Sequence, residues 1–189
     1  MMNPIIQTKR LILRQWREDD LEFFAEMNAD PRVMEYFPAV KTFEESLQEY
    51  RAIVDHFEKY HYGWWAVSEN NKSQFIGFIG LRYLEFPAAF TPKVEVAWRL
   101  RYDYWGKGYA TEGAKASLRY GFERLHLPEI IPFTSQPNLR SKAVMERIGM
   151  HHSAKDDFDH PKLPEGHLLR RHVFYRIYYN EWKKSQEES

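Results

Sequence analysis

The stretch Tyr104-Trp105-Gly106-Lys107-Gly108-Tyr109-Ala110-Thr111-Glu112-Gly113 decides the reading of this chain. It lies between a strand-like run and a helix-like run, and its glycines let the backbone pass close to a ligand. The unpaired N–H groups of a helix's first turn point outward, and the helix dipole favours negative charge there. Such a turn holds a pyrophosphate with few side chains. A P-loop is excluded, because it needs four residues between glycines and then Lys-Ser or Lys-Thr. A dinucleotide fingerprint needs G-x-G-x-x-G; Thr111 occupies the third glycine position, although Glu129 lies where a ribose-binding acid would sit. A structural turn without a ligand is the remaining alternative.

Outward from the turn, elements alternate in a pattern that favours α/β or α+β organisation. Arg10 to Trp16 alternates as a strand, and Asp19 to Asn28 reads as a helix with Leu21, Phe24, Ala25 and Met27 on one face. Thr42-Phe43-Glu44-Glu45 has capping-box spacing, which predicts a helix to about Tyr60 with Leu47, Tyr50, Ile53, Val54 and Phe57 inward. Trp64 to Ser68 and Phe75 to Tyr83 read as strands joined by a polar turn. A strand from Val94 to Leu100 leads into the glycines. The helix after them buries Ala110, Ala114, Leu118, Phe122 and Leu125. A short strand, Ile130 to Thr134, precedes a helix from Asn138 to Ile148 that Gly149 ends. Two strands close the chain, His152 to Phe158 and Leu168 to Tyr178, around a proline-rich loop. The tail from Lys183 to Ser189 is polar and expected to fray. No repeat or linker interrupts the sequence, so one domain is expected over 1–189, with its core at about 8–178.

Composition narrows the function classes. Lys plus Arg and Asp plus Glu both number 27, giving zero net charge and no electrostatic case for nucleic acid or an anionic membrane. Cysteine is absent, which removes disulfides, thiolate metal sites and a thiol nucleophile. The eight histidines show no metal-ligand spacing, and no metal is expected. Without an apolar leader or a long apolar run, a soluble cytoplasmic protein is the expectation.

Four segments then point to one family. Thr8 to Arg14, Glu95 to Leu100, Trp105 to Glu112, and Asn138 to Ser141 with Met145 to Met150 together resemble the GNAT superfamily of acetyl-CoA-dependent N-acetyltransferases. Within it they look most like the branch named for ribosomal-protein N-terminal acetyltransferases (RimJ/RimL-like). The resemblance runs from about Thr8 to Tyr178. It implies a GNAT fold: a mixed, mostly antiparallel sheet, splayed between the strand ending at Leu100 and the strand at Ile130 to Thr134, with acyl-CoA in the splay.

By the same resemblance, the acyl-CoA signature falls on Trp105-x-x-Gly108-x-Ala110. Tryptophan in its first place departs from the superfamily's Gln or Arg. The N–H groups of Gly106, Lys107, Gly108, Tyr109, Ala110 and Thr111 would hold the pyrophosphate. Trp98, Arg99 and Leu100 would offer backbone groups to the pantetheine arm, Asn138 matches a pantetheine-binding position, and Ser141 counts with it among the cofactor-binding residues.

Acetyl transfer to a primary amine needs a base for R–NH3+ and a donor for the thioester oxygen. It can also use an acid at the departing thiolate. The donor expected is a backbone N–H of Ala97 to Arg99. Glu95 matches the base of part of the superfamily, and a salt-bridged or water-holding glutamate is its structural alternative. Ser141 matches the thiol-side acid of the nearest branch, and serine is favoured at a helix start in any case. Many members use a tyrosine instead, and the 12 tyrosines here leave that open.

Without cysteine, transfer is expected to be direct. The acceptor is either a protein N-terminal amine or a small-molecule amine; a catalytically silent acyl-CoA-binding module is the alternative. Tyr36-Phe37 and His61 to Trp65 are either walls of an acceptor pocket or core. Glu35 and Asp30 either attract a cationic amine or are solvated acids. Many relatives dimerise, so the resemblance allows a homodimer, though no residue marks its interface.

Overall fold

The computed structural model describes residues 5–85 and 90–188. In chain order the strands and helices begin with β1 (Ile6–Gln7), β2 (Leu11–Arg14), α1 (Asp20–Ala29) and α2 (Phe43–Tyr60). Strands β3 (Trp64–Glu69), β4 (Gly77–Leu84) and β5 (Lys93–Leu100) follow, then α3 (Tyr109–Glu123). The rest comprises β6 (Glu129–Ile130), β7 (Phe133–Ser135), α4 (Leu139–Arg147), β8 (His151–His152), β9 (Phe158–Asp159), β10 (Arg171–Tyr178) and α5 (Tyr179–Glu187).

The capping box at α2 forms as its spacing predicts: the Glu45 N–H donates to Thr42 Oγ1 at 3.2 Å, and the Thr42 N–H donates to Glu45 Oε2 at 2.7 Å. Strands β1 to β5 make one sheet in sequence order, each antiparallel to its neighbour. In a second sheet β10 is central, flanked on one edge by β6 and β7 and on the other by β8 and β9.

The two sheets touch where Glu95 and Ile131 form a parallel bridge. The Val96 N–H donates to Ile131 O at 2.8 Å and the Ile131 N–H to Val94 O at 3.1 Å. Beyond Val96 the strands part. The expected splay between the strand ending at Leu100 and the strand around Ile130 is therefore present, in a mostly antiparallel mixed architecture.

Strand ends such as those expected at Arg10, Trp16, Phe75 and Leu168 lie a few residues inward, at Leu11, Arg14, Gly77 and Arg171, and three larger departures have a physical cause. The strand expected from Ile130 to Thr134 is two pieces, because Pro132 has no N–H to give the ladder. The strand expected from His152 to Phe158 is broken by a 3-10 turn at Ala154–Asp156. The tail expected to fray from Lys183 is helical to Glu187. Its anchor is Trp182, 7% exposed and 5.1 Å from the Phe122 ring, an apolar side chain the polar composition of the tail conceals.

The core lies between the first sheet and its helices. Leu11, Leu13, Trp65, Val67, Ile79 and Leu81 from the strands meet Phe24, Ile53, Phe57, Ala114, Leu118 and Phe122 from α1, α2 and α3. Burying such side chains is the main favourable term in folding, at roughly 1.5–3 kcal/mol each.

Candidate active site

The glycine turn takes the shape its composition allows. Gly106 and Gly108 have φ of 73° and 76°, the left-handed region that costs other residues about 1–2 kcal/mol. Trp105 Nε1 donates to Leu100 O at 2.8 Å, folding the turn back onto the end of β5. Gly108 caps α3 with no side chain, and the first intrahelical bond runs from the Glu112 N–H to Gly108 O at 3.0 Å. The N–H groups of Tyr109, Ala110 and Thr111 thus precede the helix's own ladder and stay available to an anion.

A clamp that the sequence reading did not assign holds this turn. Arg10 donates from Nη1 to Lys107 O at 2.8 Å and from Nε to Glu112 Oε2 at 2.6 Å. Thr8 Oγ1 and the Arg10 N–H both donate to Glu112 Oε1, at 2.6 and 2.8 Å. Burial pushes the Glu112 carboxyl up, but these donors outweigh it and its proton affinity falls below the ordinary range. The segment from Thr8 to Arg10 therefore orients the first turn of α3. Only the pairing of residues about a hundred positions apart makes that visible.

Glu95 stands on β5 where the sheets part. It is 7% exposed, and burial raises its pKa to about 7 against a partial opposing pull from Arg82, its cross-strand neighbour on β4. A carboxyl in that range exchanges protons at neutral pH, as a general base must. Three residues on, Trp98 pairs with Ile79. Antiparallel pairing alternates, and Val96 already directs its N–H away from β4 to Ile131 O. Trp98 therefore turns its N–H and C=O the same way, into the opening.

Asn138 caps α4 and accepts the Ser141 N–H at 3.1 Å. Its Nδ2 donates to Thr134 Oγ1 at 3.0 Å and to Ser141 Oγ at 3.2 Å. The Ser141 hydroxyl donates to no described residue, which leaves its proton available. Arg140, next to it, ion-pairs with Glu35 and stands 4.8 Å from the Trp105 ring. Glu35 is thus a paired acid, and Asp30 likewise pairs with Arg32 at 2.7 Å.

Arg99 turns its side chain the other way, to Asn28 Oδ1 at 2.7 Å and Glu49 Oε2 at 3.3 Å, with Phe37 4.4 Å from its guanidinium. The aromatic groups divide: Tyr62 and Trp65 are core, whereas Trp64 is half-buried and Phe37 is 38% exposed. Among the described residues no group of three or more His, Asp or Glu side chains is placed to hold a metal ion. No helix there is long and apolar enough to cross a membrane.

A splayed mixed sheet with a bare helix N-terminus at its opening and a buried, neutral-range carboxyl beside it defines an acyl-transfer fold. The model of the Acetyltransferase (GNAT) domain family matches residues 10–151. An FsC-acetyl coenzyme A-N(2)-transacetylase of Aspergillus fumigatus is 31% identical over 206 residues, covering 98% of this chain and 81% of that protein. An uncharacterized N-acetyltransferase of Bacillus subtilis is 30% identical over 179 residues, covering 94% and 98%. A GNAT-family acetyltransferase structure from Bacillus anthracis superposes with a TM-score of 0.75 at 26% identity, covering 94% of this chain and 99% of that one. The chain belongs to the GNAT family of acetyltransferases, and its activity is acetyl-CoA-dependent N-acetyl transfer.

Proposed function

We propose that this protein moves the acetyl group of acetyl-CoA directly onto a primary amine, with Glu95 as base and Ser141 as acid. The observation that carries the reading is Glu95: a buried carboxyl poised near pH 7 where the sheets part, on the strand that ends at the glycine turn. The backbone from Gly106 to Thr111 receives the pyrophosphate, and the outward C=O of Trp98 accepts from a pantetheine amide, leaving the Trp98 N–H for the thioester. Leu100 turns the same way as Trp98 and adds its N–H to that strand edge, whereas Arg99, one residue out of phase, spends its main chain on Phe78 of β4; Asn138 fixes the start of α4 beside it. The donor set suits the ligand, since unpaired N–H groups match phosphate oxygens and a free strand edge matches an amide chain.

Acting as base, Glu95 accepts one proton from the acceptor's ammonium. The freed nitrogen forms its bond to the acetyl carbon, and the Trp98 N–H donates to the carbonyl oxygen as charge gathers there. The carbon–sulfur bond breaks with its electron pair on sulfur. Ser141 gives its proton to that sulfur and regains one as nitrogen loses its second.

The acceptor is a protein N-terminal amine, as the RimJ/RimL-like resemblance suggests, or a small molecule. The silent-module alternative finds no support in a family of acetyltransferases. Calorimetric titration with acetyl-CoA, with NADH as control, tests the cofactor assignment. Micromolar binding, about −8 kcal/mol, is expected for acetyl-CoA alone; no binding overturns the reading. Ser141→Ala should lower kcat without moving the acetyl-CoA dissociation constant; unchanged turnover removes Ser141 from the mechanism.

A further inference from the structure

On the face of the first sheet that carries Glu95, the side chains leave a gap. Gly80 pairs with Trp64 on one side and Ala97 on the other, so the floor there is made of the two smallest residues. A Cβ at Gly80 would lie 2.2 Å from Gly63 O, so no larger residue fits that floor. Around it stand Trp64, Phe78, Arg82, Glu95 and Arg99, which share the face through the same register. Phe78 and Trp64 stack at 4.9 Å and 18°, and the Arg82 guanidinium lies 4.5 Å from the Trp64 ring centroid. Ala97, Trp64 and Arg82 are only half-buried, so the gap is open to solvent.

Among the buried and half-buried arginines of the described residues, Arg82 stands apart. Arg14 pairs with Asp20, Arg99 with Glu49, Arg101 with Glu26, Arg170 with Asp159 and Arg176 with Asp156. Arg82 touches the Trp64 ring but has no hydrogen bond and no ion pair among the described residues, even with Glu95 opposite. The Trp64 Nε1 beneath it is buried and also has no acceptor. A half-buried guanidinium and a buried indole N–H left unfilled are costly in a finished core and useful in a binding site. Arg presents its donors in a fork that fits a carboxylate.

Building on the acetyl-transfer reading, we propose that the acceptor amine carries a carboxylate a few bonds from its nitrogen. Arg82 receives that carboxylate over Gly80 and Ala97 while the amine faces Glu95. The acceptor class is then a small amino acid-like molecule. A polyamine would bring a second cation against Arg82, and a peptide N-terminus would bring a neutral amide in place of the carboxylate.

The test uses the full chain, acetyl-CoA and matched acceptors with and without the carboxylate: ornithine against putrescine, phenylalanine against phenethylamine, with spermidine and a short peptide alongside. At least one carboxylate-bearing acceptor should exceed its decarboxylated match in kcat/KM by about 10- to 100-fold, the range of one charge-assisted hydrogen-bonded contact. Arg82→Gln should shrink that ratio below about threefold through KM, and Arg82→Lys should keep part of it. Removing the cation should also move the pH midpoint of kcat/KM upward, because Arg82 pulls the Glu95 proton affinity down. A merely structural Arg82 would lower activity on both members of a pair alike.

The inference falls if decarboxylated amines, spermidine or the peptide are preferred, if no carboxylate-bearing acceptor turns over, or if the preference survives Arg82→Gln. If that variant fails to fold, the wild-type ratio and Arg82→Lys decide. Acetyl-CoA calorimetry is separate: retained binding with the wrong acceptor preference sinks only this inference, and lost binding sinks the reading beneath it.

Discussion

Glu95→Gln separates a catalytic glutamate from a structural one, because the two roles move stability and rate differently. Burial raises the Glu95 pKa from 4.5 to about 7. A carboxyl whose folded pKa lies above its unfolded value contributes most below the unfolded value. That contribution is lost as pH rises from about 4.5 to about 7, and above pH 7 the charged, buried form is a standing cost. Each pKa unit corresponds to about 1.4 kcal/mol, so the full penalty at pH 8 is about 3 kcal/mol. Glutamine keeps the shape and has no charge to desolvate. The variant should therefore be about 2–3 kcal/mol more stable at pH 8, a Tm rise of roughly 4–12 °C for a chain of this length. At pH 4.5 the gain should vanish. Thermal unfolding across pH 4.5 to 8.5 measures this, and steady-state thiol release measures rate. Wild-type kcat/KM should rise through pH 7, and the variant should lose about 10²–10⁴-fold, the usual worth of a positioned base. Full turnover in a stabilised variant would refute the base assignment. Unchanged stability at pH 8 would refute the buried, neutral-range carboxyl itself.

Three further outcomes follow from named contacts. Gly108→Ala forces an L residue to φ 76° and sets a Cβ 3.4 Å from Arg10 Nη2; calorimetry should show acetyl-CoA binding weakened more than tenfold, with about 1–2 kcal/mol lost in stability. His56 accepts the Tyr83 N–H at Nε2 (3.0 Å), so its Nδ1 donates to Tyr62 O at 3.0 Å. Burial, then the nearby charge of Arg82, lowers its pKa to about 4, so its contribution is complete above pH 6.5 and drains as pH falls toward 4. With solvent screening at a half-buried ring this amounts to about 1–2 kcal/mol, and urea midpoints of wild type and His56→Ala should converge over that window. Asp20→Ala strands Arg14, whose guanidinium bonds Asp20 twice at 2.7 Å in a buried pair. It should cost about 3–5 kcal/mol, whereas Arg14→Met with Asp20→Leu should recover most of that.

Local signals were legible where one segment contains the whole cause. The Thr42-to-Glu45 box, the glycines at 106 and 108 and the Asn138 cap each act within four residues, so sequence spacing specifies them. The periodicity of α3 named Ala114, Leu118 and Phe122 as buried, because a helix face depends only on its own repeat. The family resemblance joined these segments into a splayed sheet and a cofactor, and it selected Glu95 and Ser141 from many acids and hydroxyls. The break between β6 and β7 has a local sign in Pro132, which has no N–H for a ladder, whereas the 3-10 turn that divides β8 from β9 falls in a stretch with neither Gly nor Pro to mark it.

What remained to the tertiary structure is every effect between residues distant in the chain. Arg10 meets Glu112 across a hundred positions, and Trp182 finds Phe122, by packing that no window of sequence contains. Arg82 faces Glu95 only once the β4–β5 register is set, and one residue of slip would send either side chain to the opposite face. The sequence by itself determined the glycine turn and, through the family resemblance, the class of chemistry. The fold alone decided that Glu95 is dry enough to exchange protons near pH 7, because desolvation is a property of everything around a group and of nothing in its own name.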